Sequence, residues 1–182
     1  MGGGKRVNTN FKMLVVSDSH GDRDILVRLL EHYQSDIDLF IHCGDSELPA
    51  NDELFKTYHV VAGNCDYDPA FKNDQLITFE KKRIWLTHGH LYQVNFSMEN
   101  LKLASQQQRA DFCFFGHTHR LGFEMNEHCL FLNPGSISLP RGEYARLGGT
   151  FAIISVNNEI IKVQYYNHDF QAISELNGKF EN

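Results

Sequence analysis

Seven side chains able to bind divalent cations follow the ends of five predicted β-strands. Each strand is an apolar run, and the polar residues after the runs are, in order, Asp18 and His20, Asp45, Asn64, His88, and His117 with His119. All seven offer oxygen or nitrogen donors and none is a thiolate, which suits Mn²⁺, Fe, Ni²⁺ or Zn²⁺ better than an iron–sulfur cluster. The pattern therefore predicts metal chemistry at the ends of the strands.

Each of these residues also has a structural explanation when it is taken alone. Asp18 and Asp45 could cap a helix or a turn, and Asn64 could be a turn residue, as such residues commonly are after a strand. An isolated pair such as His117 and His119 is more often structural than a ligand pair. Because five separate segments would have to produce the pattern by coincidence, we prefer the metal site.

The elements that would position these residues follow from the spacing of the apolar residues. Helices are predicted over residues 24–33 and 97–110, the first with Asp22 or Asp24 as its N-cap. Strands are predicted at 13–16, 39–43, 58–62, 76–79, 83–87, 112–115, 121–125, 129–132, 149–156 and 159–166. The first half alternates strands with helices and the second half is mostly strands. This order predicts sheet layers with helices outside them, and a site at the strand ends.

The length of 182 residues predicts one domain with a sizeable core. Residues 1–10 are polar and glycine-rich and are expected to be a flexible leader or a tag remnant. Residues 11–170 are expected to form the domain, and residues 171–182 a polar C-terminal tail. No apolar run approaches the roughly 20 residues of a membrane span, so no membrane partner is expected.

The formal net charge of −6 argues against a nucleic-acid partner, because no basic stripe could neutralise a phosphate backbone. A small phosphate ester is compatible with this charge if bound cations supply positive charge locally. The four cysteines, Cys43, Cys65, Cys113 and Cys129, show no paired spacing. They predict free thiols in a reducing, cytoplasmic compartment. The last strands and the apolar face near Phe151 are a candidate homodimer surface.

The order of the motifs resembles the calcineurin-like metallophosphoesterases, and within them the small bacterial and archaeal phosphodiesterase branch. The family pattern is Asp-x-His, Gly-Asp, Gly-Asn-x-Asp/Glu, a single His, and Gly-His-x-His. This chain shows Asp18-Ser-His20, Gly44-Asp45, Gly63-Asn64-Cys65-Asp66, His88 and Gly116-His117-Thr-His119, followed by Asn133-Pro-Gly-Ser and Pro140-Arg-Gly. The resemblance implies the family's α/β (α+β) fold, a four-layer α-β-β-α sandwich of two mixed sheets.

The resemblance also implies two divalent metal ions, with manganese expected and nickel, iron or zinc as alternatives. One ion would lie among Asp18, His20, Asp45 and His119, and the other among Asp45, Asn64, His88 and His117. Asp45 would bridge them, since the two oxygens of a carboxylate can serve two cations. Asp45, Asn64 and His88 are therefore expected to be catalytic as well as ligands.

The activity implied is phosphoester hydrolysis, with a phosphodiesterase acting on small phosphate esters as the expectation. Two divalent ions bring four positive charges and Asp18 with Asp45 cancels two of them, so the surplus would attract the ester. The ions would also lower the pKa of a bridging water, and the resulting hydroxide would attack phosphorus in line.

Four further residues are expected near the substrate or behind the ligands. Cys65 stands where many family members have a histidine that protonates the leaving group, and a thiol beside metal ions is expected to lose its proton rather than donate it. Either good leaving groups would then be favoured, or His90 or water would protonate the product. Asp66 is expected to orient the Asn64 loop, with a role behind the ligands as the alternative. Arg141 could bind the substrate phosphate or form a loop salt bridge.

Two other functions remain open at this point. One is a non-catalytic scaffold like the retromer subunit that shares this fold, which has lost key ligands and binds protein partners. Intact Asp45 and Asn64 favour the enzyme over such a scaffold. The other is a nuclease, for which the chain lacks a basic groove and an added capping domain.

Overall fold

The computed structural model describes residues 10–181, in which eleven strands, two α-helices and three short 3₁₀ helices are present. The strands are β1 Asn10–Val16, β2 Leu39–His42, β3 Tyr58–Val60, β4 Asp74–Phe79, β5 Lys82–Thr87, β6 Phe112–Phe114, β7 Gly122–Asn126, β8 Cys129–Asn133, β9 Thr150–Asn157, β10 Ile160–Asn167 and β11 Ala172–Glu181. The helices are α1 Arg23–Tyr33 and α2 Glu99–Gln108, and the 3₁₀ helices are Glu53–Lys56, His90–Tyr92 and Ala145–Leu147.

The strands form two mixed sheets. The first has the order β11-β10-β9-β1-β2-β3 and the second the order β4-β5-β6-β8-β7. In the first sheet β1, β2 and β3 run parallel, while β9 runs antiparallel to β1. In the second, β5, β6 and β8 run parallel between the antiparallel strands β4 and β7. The predicted fold class is confirmed.

The alternation of side chains along β1 shows how the layers are held. Met13 and Val15 point into the core between the two sheets, whereas Leu14 and Val16 point outward and pack with the buried face of α1. A third apolar cluster, which includes Trp85 and Leu101, covers the outer face of the second sheet beneath α2. The layers therefore follow the order helix, sheet, sheet, helix.

Helix α1 begins where the sequence predicted. The side chain of Asp22 accepts a hydrogen bond from the backbone N–H of Ile25, which satisfies one of the free donors at the helix start. Ile25, Leu26 and Leu29 then bury one face of the helix. With 11 residues in α1 and 10 in α2, neither helix in residues 10–181 has the length and apolarity needed to cross a membrane.

The expectation of a polar C-terminal tail is wrong. Residues Ala172–Glu181 form strand β11, paired antiparallel with β10. The strand lies at the edge of its sheet, and only Ile173 and Leu176 are buried, so its composition is polar. Phe151 is fully buried against Tyr33 and Tyr166, so its side chain lies inside the domain, and the expected homodimer stays a prediction. The predicted leader lies outside the described residues except for Asn10, the first residue of β1.

Candidate metal centre

The carboxyl ends of the parallel strands bring the predicted residues to one edge of the sandwich. Backbone hydrogen bonds fix this arrangement: Asp18 N–H donates to Gly44 O at 3.0 Å, and Gly116 N–H donates to His88 O at 3.0 Å. The two sheets are linked here because His117 N–H donates to the Asp18 carboxylate at 3.2 Å. The loops after β1, β2, β5 and β6 therefore meet at one place, as parallel strands require.

The first cluster consists of Asp18, His20, Asp45 and His119, whose ligand atoms all lie within 4.8 Å of one another. His20 Nε2 is 3.2 Å from His119 Nε2, and His119 Nε2 is 3.2 Å from Asp18 Oδ1. These four residues are the set that the family resemblance implied for one ion.

The hydrogen bonds of His119 show what this cluster requires. Its Nδ1 lies 2.7 Å from the carbonyl oxygen of Leu139, which only accepts, so the proton of the neutral ring belongs on Nδ1 and Nε2 carries a lone pair. Asp18 Oδ1 is buried and finds no donor in a well-formed hydrogen bond within residues 10–181. Lone pairs thus face one another, and a proton or a cation has to lie between them. The oxygen and nitrogen donors fit a divalent metal ion.

The second cluster is built around His88, which is fully buried. Its Nδ1 lies 2.7 Å from Cys43 O, so Nε2 is again the free nitrogen. That nitrogen is 3.2 Å from Asn64 Oδ1 and 3.4 Å from Asp45 Oδ2. Asp45 therefore faces both clusters, which is the position of a bridging carboxylate.

His117 is placed beside the second cluster but has a different partner. Its ring centroid is 5.1 Å from that of His88, whereas its Nε2 lies 2.8 Å from the side-chain amide nitrogen of Asn95. The amide of Asn95 thus donates to the nitrogen that the resemblance assigned to a metal ion. Asn95 lies in an irregular loop, and the sequence around it carries no signal of this contact.

The pKa values of Asp45, His88 and His119 show that the centre favours positive charge. Burial alone would raise the pKa of Asp45, but the hydrogen bond and charge of His88, with the Cys65 N–H, lower it well below its usual range. Burial opposes protonation of His88, yet Asp45 and Asp18 raise its pKa. His119 behaves similarly: burial opposes its charge, but Asp18 raises its pKa. The raised pKa values of these two histidines show that the carboxylates favour positive charge here, and a metal ion could supply that charge instead of a proton.

Burial and the charge of His88 together lower the pKa of His117. Among His88, His117 and His119, only His117 has a lowered pKa, so it loses its proton most readily. A neutral imidazole is the form that binds a metal ion.

Asp66 holds two of the ligand loops together. Its carboxylate accepts hydrogen bonds from Glu47 N–H at 2.7 Å and Gly63 N–H at 2.8 Å, and from the N–H and hydroxyl of Ser46. These bonds join the loop that follows Asp45 to the loop that carries Asn64. The structure thus places Asp66 where it orients the Asn64 loop.

Two further residues support the site, of which sequence reasoning missed Glu47. Glu47 Oε1 lies 2.6 Å from His20 Nδ1, which directs the other nitrogen of His20 toward His119. His42 lies beneath the site, with Nε2 at 3.0 Å from Ser19 Oγ and Nδ1 accepting from Gly44 N–H. Glu47 stands two residues after Asp45, so an acidic residue at that spacing was a signal that could have been used.

Cys65 is partly buried beside the first cluster. Burial raises the pKa of its thiol to about 11, and the negative charges of Asp45 and Glu47 act in the same direction. Without cations the thiol therefore stays protonated at neutral pH. The expectation that metal ions beside Cys65 would remove this proton stays a prediction.

His90 and Arg141 lie at the edge of the centre. The ring of His90 is 5.3 Å from the ring of His88, and its buried Nδ1 has no hydrogen-bond partner within residues 10–181. Arg141 donates its backbone N–H to His119 O at 2.9 Å while its side chain is exposed. Both are positioned to contact a molecule that approaches the clusters.

The backbone is unusual at the same residues. Five of the seven predicted ligands have a left-handed φ, namely Asp18 at 55°, His20 at 45°, Asp45 at 53°, His117 at 69° and His119 at 58°. Such values are uncommon outside glycine and concentrate at functional sites. Glycine is required beside them: a Cβ on Gly116 would overlap Ser17 Oγ, and one on Gly63 would overlap the Asp45 carboxylate.

Comparison with known proteins places this geometry in context. Residues 11–159 match the family model of the calcineurin-like phosphoesterase superfamily domain. The probable metallophosphoesterase YsnB of Bacillus subtilis is 36% identical over 167 residues, covering 92% of this chain and 97% of YsnB. Phosphodiesterase YfcE of Escherichia coli K12 is 30% identical over 184 residues, covering 84% of this chain and 96% of YfcE.

Solved structures show the same fold. A protein of Streptococcus pneumoniae described as a predicted phosphoesterase superposes with a TM-score of 0.91 at 32% identity, covering 96% of this chain and 99% of that one. Vacuolar protein sorting 29 of Cryptosporidium parvum superposes with a TM-score of 0.74 at 17% identity, covering 95% and 99%. At that identity the second likeness shows the fold alone.

Proposed function

This chain belongs to the calcineurin-like phosphoesterase superfamily, and on that premise we propose that it is a dinuclear metal-dependent phosphodiesterase acting on small phosphate esters. The observation that carries the proposal is the convergence of oxygen and nitrogen ligand atoms in two clusters that share Asp45. The name of the relative YfcE supports the preference for diesters.

Each of the two clusters would hold one of the metal ions. Asp18, His20, Asp45 and His119 would hold one divalent ion, and Asp45, Asn64, His88 and His117 the other, with Asn95 released from His117. We propose manganese, with nickel, iron or zinc as alternatives. When bound, such ions supply positive charge to the phosphate and lower the pKa of a water that attacks phosphorus.

The fixed partners of the histidines keep their reactive nitrogens in place. Cys43 O and Leu139 O hold the Nδ1 protons of His88 and His119, so that both Nε2 atoms stay directed at the carboxylates. Asp45 contributes a carboxylate that stays ionised down to low pH, because the charge of His88 lowers its pKa. Ions that bind here would take the place of the protons favoured on His88 and His119 and of the Asn95 amide on His117.

The residues at the edge of the metal centre, Arg141 and His90, would contact the substrate. The exposed side chain of Arg141, whose backbone N–H donates to His119 O, would bind a phosphate oxygen. His90, whose Nδ1 lacks a partner within residues 10–181, or a water would protonate the product. Cys65 would serve poorly as that acid, because a thiol beside two cations is expected to lose its proton rather than to donate it. Esters with acidic leaving groups are therefore the expected substrates.

The test combines metal analysis with an ester screen. The purified protein is expected to bind two manganese ions and to hydrolyse bis(p-nitrophenyl) phosphate, and a chelator is expected to abolish this activity. Asp45→Asn should lose at least about 100-fold in kcat/KM, because the bridge between the ions is removed. Asp36→Asn, a change at an exposed aspartate on the far side of α1, is the matched control. Full metal-dependent activity in Asp45→Asn would refute the proposal.

The same screen separates the other functions. Metal uptake without hydrolysis of any mono- or diester would replace the enzyme with a protein-binding scaffold, and preference for single-stranded DNA over small esters would indicate a nuclease. The four free thiols within residues 10–181 support our proposal that the protein works in the reducing cytoplasm.

A further inference from the structure

A second group of side chains able to hold a metal ion lies at the rim of the centre and shares one residue, His20, with the first cluster. It consists of His20, Glu47 and Cys65, whose ligand atoms all lie within 4.8 Å of one another. Imidazole, carboxylate and thiol are together the donor set of four-coordinate zinc, with water in the fourth position. The catalytic clusters contain no sulfur, so this group differs from them in chemistry as well as in place.

We propose that His20, Glu47 and Cys65 form a rim site for one thiophilic divalent ion, Zn²⁺ in particular. Cys65 lies within reach because Asp66 fixes both loops: the carboxylate that accepts from Glu47 N–H also accepts from Gly63 N–H, two residues before Cys65. Cys65 N–H itself donates to Asp45 Oδ1 at 2.7 Å. When the ion binds, the Cys65 thiol releases its proton to the solvent and the thiolate becomes the ligand.

The rim site and the first catalytic cluster share His20 through its two nitrogens. Nδ1 faces Glu47 at 2.6 Å, and Nε2 faces His119 at 3.2 Å. An ion bound through Nδ1 moves the proton of the neutral ring to Nε2, and a protonated Nε2 cannot bind a second ion. Zinc at the rim and an ion among Asp18, His20 and His119 therefore exclude each other. This exclusion rests on the proposed function, whereas the rim site itself does not.

Cobalt is the probe for the test, since Co²⁺ occupies zinc sites and a cobalt–thiolate bond absorbs in the near ultraviolet. The experiment uses the full chain after metal removal, as the Asp18→Asn variant, which weakens the first cluster and leaves the rim untouched. When Co²⁺ is added to Asp18→Asn, we expect the cobalt–thiolate charge-transfer band to appear. The band should be lost in the double variants that combine Asp18→Asn with Cys65→Ser or with Glu47→Gln. Glu31→Gln, at an exposed glutamate of α1, should keep the band.

The other three cysteines are buried, so the band reports on Cys65. Absence of the band in Asp18→Asn, or its persistence in Cys65→Ser, would overturn the rim site. If Asp18→Asn does not fold, as judged by circular dichroism, His119→Gln takes its place. In the unaltered chain excess Mn²⁺ should suppress the band, and an undiminished band would overturn the mutual exclusion. None of these readings depends on ester hydrolysis, so failure of the proposed function would be seen separately.

Discussion

His42 allows a quantitative prediction about the platform beneath the metal centre. Its side chain is fully buried and bonded to Ser19 and to the backbone of Gly44. Burial lowers its pKa from 6.5 to about 4, although the charges of Asp66, Asp18 and Asp45 act in the opposite direction. In the folded protein the ring is therefore neutral at a pH where the unfolded chain already binds a proton.

The sign follows from proton binding in the two states. Between about pH 6.5 and pH 4 the unfolded chain carries more protons at this residue, so the free energy of unfolding falls as the pH falls through that window. With a folded pKa of about 4, the loss on going from about pH 7.5 to about pH 5 amounts to roughly 2 kcal/mol, since each pKa unit corresponds to about 1.4 kcal/mol.

The assay is urea unfolding at both pH values, with a chelator present so that metal ions contribute nothing. His42→Gln removes the titrating group and should lose about 2 kcal/mol less than the unaltered protein over this interval. His128→Gln, at an exposed histidine in the β7–β8 turn, is the control. Equal losses in His42→Gln and the unaltered protein would refute the reasoning, because the comparison cancels every other titrating group that the substitution leaves unchanged.

Three further substitutions test the loops around the centre. Gly116→Ala should destabilise the protein by about 1–3 kcal/mol and weaken manganese binding, because the added methyl group overlaps Ser17 Oγ; Gly122→Ala, where nothing lies within 4 Å, should do neither. Asp66→Asn should cost about 1–3 kcal/mol in urea unfolding, since an amide cannot accept all of the N–H groups that now meet the carboxylate, and an unchanged midpoint would count against its role as a clamp. Cys65→His should speed the hydrolysis of alkyl diesters more than that of nitrophenyl diesters, as measured by kcat/KM, and equal effects on both would exclude a missing acid as the reason for the preference.

The local pattern of the sequence was sufficient for the fold and for the convergence of the site. Apolar runs such as that of β6 are buried on both faces, so strand and burial follow from the residues themselves. Strand β11 could not be read in this way, because it is at the edge of a sheet and only Ile173 and Leu176 of its residues are buried, with Phe180 half-buried against the core. The partners Glu47 and Asn95 were also missed, since their contacts with histidines depend on how distant loops meet.

Five predicted ligands have a left-handed backbone conformation, which is energetically unfavourable. The loops that carry them therefore need many hydrogen bonds from the surrounding structure. Each such residue costs on the order of 1 kcal/mol or more, so the five together approach the net stability of an ordinary domain. The compensation comes from groups that bind no ion themselves: Asp66 with its four donors, Ser136, whose hydroxyl donates to Asp18 O at 2.7 Å, and the carbonyl partners of His88 and His119. All of these contacts join protein groups to one another, so we expect them to hold the loops in this shape when ions are removed. Ions that bind only the folded state then stabilise it by mass action, and they do so without the ordering cost that flexible loops would impose.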